Sequence, residues 1–179
     1  MRLYYTTTAK QDSPQQKPSQ SLGGYKSSSP VPNSALGNLF SDLSLLTLEK
    51  NLPEYLGLVL KNERDNSVSN IKIWINNPVN NLCKYKLAVV ELSSVNSFEM
   101  LPSINSKPLY AEFYDVDSEV NSIEIGPMLR GEQYGIWLER TINTESEEFK
   151  SLKNCDLTST PLSQIEEMEI KISFTDVSN

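Results

Sequence analysis

In the stretch NIKIWIN, residues 70 to 76, Ile71, Ile73 and Ile75 alternate with Lys72 and Trp74. The same period of two recurs in MEIKISFTDV at 168 to 177, where Ile170, Ile172 and Phe174 alternate with Lys171 and Ser173. Successive side chains of an extended strand point to opposite faces, so this pattern predicts strands with one face buried and one wet. Further strand-like runs are RLYYTTT at 2 to 8, EYLGLVLKN at 54 to 62, KYKLAVVEL at 84 to 92, PLYAEFYDV at 108 to 116, NSIEIGPML at 121 to 129 and EQYGIWLERTI at 132 to 142. Turn-formers such as ERDNS and NPVNN separate them. Seven or eight short strands punctuated in this way predict an all-β fold, an antiparallel β-sandwich of immunoglobulin-like or jelly-roll-like kind. In TESEEFKSLKN, residues 144 to 154, Phe149 and Leu152 fall three apart among charges, which predicts one short surface helix.

The first 35 residues read differently. After the strand-like tip comes AKQDSPQQKPSQS, whose Pro, Gln and Ser leave almost nothing to bury. A segment of this kind is ordered only where something holds it. Residues 1 to 35 carry Arg2, Lys10, Lys17 and Lys26 against Asp12 alone, a balance of +3 in a chain of formal charge −7, which leaves −10 for the rest. A basic segment beside an acidic body suits docking on an acidic neighbour and argues against nucleic-acid binding by the body. The expected organisation is an extended N-terminal arm over 1 to 35 and a β-sandwich domain over 36 to 179. Apolar residues return at Leu36, Leu39 and Phe40, which predicts a strap that anchors the end of the arm beneath the sandwich. The Gly23-Gly24 pair supplies backbone angles barred to other residues and is expected to bend the arm where it meets the body.

Catalytic chemistry has no visible candidate. The chain has no histidine, which excludes a Cys/His zinc site and a histidine base, and Cys83 and Cys155 do not share a C-x-x-C spacing. They are read as thiols of a protein made in a reducing cytoplasm, with a bond between them left open. No phosphate-cradling glycine loop and no nucleophile elbow occurs. The carboxylates Glu112, Asp115, Asp117 and Glu119 form the nearest thing to a cluster, but calcium loops turn sharply on a glycine and none lies between Ala111 and Ile125. A solvated turn is the expectation, with no metal and no cofactor. The N-terminus lacks the apolar core of a signal peptide, and no run approaches the roughly 20 apolar residues that span a bilayer. Trp74, Trp137, Tyr110, Phe113 and Tyr114 could form a carbohydrate platform, although aromatics in strands are more often sheet packing.

The order of motifs resembles small virion structural proteins of tailed bacteriophages. Those proteins carry an L-G-G-x-x-S-S element, an L-x-N-L-F-x-D strap, an E-Y strand ending K-N, a K-x-W-I strand and a late G-x-x-Y-x-x-W-x-x-R-T strand. Here the matching residues are Leu22, Gly23, Gly24, Ser27 and Ser28, then Leu36, Asn38, Leu39, Phe40 and Asp42. They continue with Glu54, Tyr55, Lys61 and Asn62, with Lys72, Trp74 and Ile75, and with Gly131, Tyr134, Trp137, Arg140 and Thr141. Two regions depart from the pattern: SLLTLEKNLP replaces a glycine-rich turn at 44 to 53, and residues 144 to 168 hold an acidic insertion. The resemblance implies a non-enzymatic β-sandwich of the virion that contacts other virion proteins and copies of itself. The residues expected to make those contacts are Arg2, Leu3, Tyr4, Tyr5, Leu22, Gly23, Gly24, Tyr25, Leu36, Leu39 and Phe40. A carbohydrate-binding module for host adhesion is the alternative, and neither reading involves nucleic acid or membrane.

Overall fold

The strands of the computed structural model follow the alternation closely. It describes residues 1–33, 39–40, 43, 50–76, 82–154 and 168–177. In chain order these form β1 (Arg2–Thr7), a 3-10 turn (Pro18–Gln20), β2 (Gly23–Pro30), β3 (Glu54–Lys61), β4 (Val68–Asn76), β5 (Cys83–Glu91), β6 (Ser97–Met100), β7 (Ile123–Ile125), β8 (Gln133–Ile142), α1 (Glu147–Asn154) and β9 (Glu169–Asp176). Six strands pair in the order β5-β8-β3-β1-β2-β6 and three in the order β7-β4-β9, with antiparallel neighbours throughout. The described residues form an all-β, sandwich-like fold to which the short helix α1 is attached.

One face of the larger sheet packs on the smaller one. Leu56, Leu58 and Leu60 of β3 and Ile136 and Leu138 of β8 are fully buried together with Ile71 and Ile73 of β4. Each such side chain contributes about 1.5–3 kcal/mol of burial. The opposite face curls. β5 and β6 are consecutive in the chain and joined by a tight turn, with Ser93 N–H donating to Ser97 O at 2.8 Å, yet they lie at opposite ends of the six-stranded order. The sheet therefore bends until its edges approach, and Trp137, Tyr55, Ala88 and Leu101 fill the hollow.

Two expectations are corrected. Residues 1 to 33, the described part of the expected arm over 1 to 35, are not separate from the sandwich: β1 lies between β2 and β3 inside the larger sheet, with Tyr4, Tyr5, Thr6 and Thr7 buried. Even the polar stretch after β1 is held by its own chain, since Asp12 N–H donates to Lys26 O at 2.8 Å and Ser28 N–H to Ser13 O at 3.2 Å. Those bonds continue the β2 edge beyond β6, which pairs only with Gly23–Tyr25. The run 108 to 116 is not a strand either; it leaves β6, meets β5 where Leu87 and Tyr114 exchange bonds of 3.0 and 2.9 Å, and meets β4 where Val116 O accepts the Ile75 N–H at 2.7 Å. Helix α1 falls where the charged stretch predicted it, capped by Ser146, whose Oγ accepts the Phe149 N–H at 3.1 Å.

Candidate functional site

The segment from Thr6 to Tyr25 turns the chain back into the sheet, and its backbone is secured by hydroxyls. Ser21 Oγ accepts the Thr6 N–H at 2.7 Å and donates to Gly57 O at 2.6 Å, while Gly57 N–H donates to Ser21 O at 2.7 Å. Thr6 Oγ1 in turn accepts the Gly23 N–H at 2.9 Å. Both hydroxyls are fully buried, so the network satisfies backbone groups at the point where β1 stops pairing with β3.

The glycine pair has a packing reason. Gly23 and Gly24 sit at φ +88° and +90°, and the register of β2 against β6 shifts between them. A Cβ on Gly23 would lie 1.8 Å from Glu99 O and 2.9 Å from the Trp137 ring. A Cβ on Gly57 would meet the same ring at 3.0 Å. The two glycines thus clear the space that the indole fills, and Phe98 closes on it edge-on at 5.1 Å between centroids.

A second cluster holds Phe40. Arg140 on β8 donates through Nε to Glu54 Oε2 on β3 at 2.8 Å, and its guanidinium carbon lies 4.6 Å from the centre of the Phe40 ring. Phe40 also packs on Tyr85 with centroids 6.1 Å apart.

The expected contact residues divide accordingly. Arg2 is exposed and 3.9 Å from Glu63, Leu3 packs on the main core, and Tyr5 is buried. Tyr4 is buried with its hydroxyl on Glu63; burial first, and that hydrogen bond second, push its pKa up to about 12. Lys26 Nζ lies 4.5 Å from the centre of the Tyr4 ring, donates to Ser27 O at 2.9 Å and pairs with Asp12. Leu22 and Tyr25 are half-buried, Gly23, Gly24 and Phe40 are buried, and Leu39 packs on the core. Leu36 lies outside the described residues. These side chains chiefly hold the chain to itself.

The exposed apolar surface is elsewhere. Leu109 and Tyr110 are 79% and 84% exposed, side by side on the segment that crosses the hollow. Glu99 holds them there, its Oε2 accepting the Leu109 N–H at 2.8 Å and the Tyr110 N–H at 3.4 Å. Ala111 and Phe113 of the same segment point inward against Trp137 and its neighbours. Sequence reading placed 108 to 116 in a strand, offered Tyr110 only as one of five platform aromatics and passed over Leu109; the signal available for the pair was two large apolar residues directly after Pro108.

The carboxylates Glu112, Asp115, Asp117 and Glu119 are exposed, and among the described residues no three His, Cys, Asp or Glu side chains converge as metal ligands would. A separate open cleft of about 540 Å³ lies between the β5–β6 turn and the approach to β8, lined by Glu91, Asn96, Arg130, Glu132 and Tyr134. Of the candidate platform aromatics, Trp137 is 1% exposed and unavailable to a ligand, whereas Tyr110 and Tyr114 face outward. Among the described residues no helix is long and apolar enough to cross a membrane. Comparison with family models, with curated proteins and with solved structures finds no match.

Proposed function

We propose that this chain is a non-enzymatic structural component of a tailed-bacteriophage virion, made in the host cytoplasm and working through contacts with other virion proteins and further copies of itself. The observation that carries the reading is that residues of the resemblance, far apart in sequence, meet in space. Gly23 packs on Trp137, and Glu54 pairs with Arg140 beneath Phe40. The shared motif order therefore reads as a shared scaffold rather than a shared reaction centre.

Because β1 and β2 are spent inside the sheet, docking falls to the exposed Leu109–Tyr110 pair. Adjacent large apolar residues, pinned by Glu99, are pre-organised for burial against another protein. The double substitution Leu109→Asp with Tyr110→Asp, carried into the phage and assayed on purified particles, should leave the chain folded and abolish its incorporation. Normal incorporation would remove this surface from the reading.

The carbohydrate-binding alternative is favoured by one observation, the cleft in which Tyr134 stands among Glu91, Asn96 and Glu132. Saturable binding on a glycan array, lost with Tyr134→Ala, would support it over the structural role.

A further inference from the structure

The outer edge of β9 is built to accept a strand. Ile75 N–H donates away from β9, to Val116 O at 2.7 Å, so by alternation Ile71, Ile73 and Ile75 turn their backbone groups toward the β7 side of the sheet. Lys72, Trp74 and Asn76 then turn theirs toward β9, opposite Ser173, Lys171 and Glu169. Ile170, Ile172 and Phe174 consequently direct their N–H and C=O groups outward. Among the described residues no backbone hydrogen bond from another segment reaches them.

The other sheet edges differ. β6 has four residues and β7 three, while β5 is crossed by the Leu87–Tyr114 bridge. β9 runs for eight residues without proline or an inward charge at its centre, and the register shift in its ladder with β4 puts the extra residue on β4, between Ser69 and Lys72 opposite Phe174, not on the outer strand. Its side chains tell the same story: Ile170, Ile172 and Phe174 pack on the core yet stay half-exposed, whereas Ile71, Ile73 and Ile75 one strand inward are at most 3% exposed. A further strand would cover both the backbone groups and these apolar flanks.

We infer that β9 pairs antiparallel with β9 of a second copy, about a two-fold axis at Ile172. Outward-facing residues must oppose one another, which leaves axes at 171, 172 or 173 near the strand centre. An axis at 171 sets Lys171 against itself, and one at 173 sets Ile170 against Asp176. The axis at 172 sets Ile172 against Ile172, Ile170 against Phe174 and Lys171 against Ser173, so apolar meets apolar and no like charges are opposed. The pairing joins two three-stranded sheets into one of six and forms a closed, isologous dimer. It rests on the strand alone and does not depend on the virion reading.

The register predicts which positions cross-link. Lys171 and Ser173 of the two copies form a pair without mutual hydrogen bonds, with Cα atoms about 4.5 Å apart, within the range a disulfide spans. Purified Lys171→Cys and Ser173→Cys chains, each also carrying Cys155→Ser, are mixed under reducing conditions and then oxidised. The expected result is a disulfide-linked dimer forming at least five-fold faster in the mixture than in either variant alone; equal rates overturn the proposal. In parallel, Ser173→Lys places a lysine against Lys171 twice across the axis. Its dimer fraction in sedimentation should fall well below that of the natural chain while its thermal midpoint stays close. A purely monomeric natural chain, or an unchanged dimer in Ser173→Lys, also overturns it.

Discussion

Glu54 and Arg140 face each other across β3 and β8, joined at 2.8 Å from Nε to Oε2, with side chains only 14% and 6% exposed. A pair so enclosed does little for stability compared with an apolar substitute, but removing one member strands the other in a poor solvent. Glu54→Gln should therefore destabilise the fold by about 3 kcal/mol. Replacing both residues, as Glu54→Gln with Arg140→Met, should cost clearly less than the two single changes added together. Urea denaturation of the four proteins checks this.

The glycines around Trp137 should respond unequally to the same methyl group. Gly23→Ala meets a positive φ and a carbonyl oxygen at 1.8 Å, and Gly57→Ala meets the backbone of Gly23 at 2.8 Å. Gly131 also has a positive φ, +85°, but nothing lies within 4 Å of a Cβ there. Gly131→Ala should thus cost only the backbone strain, about 1 kcal/mol, whereas Gly23→Ala should lower the thermal midpoint far more or prevent folding. Comparable losses at positions 23 and 131 would mean that neither the Glu99 carbonyl nor the indole is what restricts Gly23.

The strands that bury one face were legible because alternation needs no knowledge of neighbours: β3, β4, β8 and β9 lie within two residues of the runs that announced them. β2 was not, since GGYKSSSP has weak strand preference and is held extended by the ladders of β1 and β6 on either side. The run 108 to 116 misled for the converse reason. Its alternation is real, with Ala111 and Phe113 inward and Tyr110 and Tyr114 outward, but alternation reports two environments and not a hydrogen-bonded partner. The role of Gly23 was half visible: the sequence announced a backbone of unusual angle, while the indole it accommodates comes from 114 residues further along.

Alkaline pH should unfold the protein through two tyrosines. Burial raises the pKa of Tyr4 and of Tyr55 to about 12, helped by Glu63 beside the first and the charge of Glu139 beside the second. The unfolded chain releases these protons near pH 10, while the folded chain keeps them. Between about pH 10 and 12 the folded state holds more protons, so stability is full below pH 10 and falls as pH rises through that window. Denaturant midpoints measured from pH 8 to 12 should drop above 10, and Tyr4→Phe with Tyr55→Phe should flatten the drop. An equally steep fall in the double variant would assign it to other groups.

Removal of the N-terminal residues separates an arm from a structural strand. β1 pairs with β2 on one side and β3 on the other, and Tyr5 belongs to the main core. Deleting residues 1 to 24 takes away β1, the Thr6–Ser21 hydroxyl network and the Gly23 contact with Trp137, and leaves β3 with an unpaired edge beside buried leucines. An arm could be lost without harm to the body; an interior strand could not. The truncated chain should be insoluble, or should lose its cooperative thermal transition by circular dichroism. A synthetic peptide of residues 1 to 24 added during refolding should restore part of the soluble, cooperative fraction, because the sheet offers it the same two ladders. A truncated protein that melts cooperatively near the natural midpoint would return residues 1 to 24 to the role of a detachable arm.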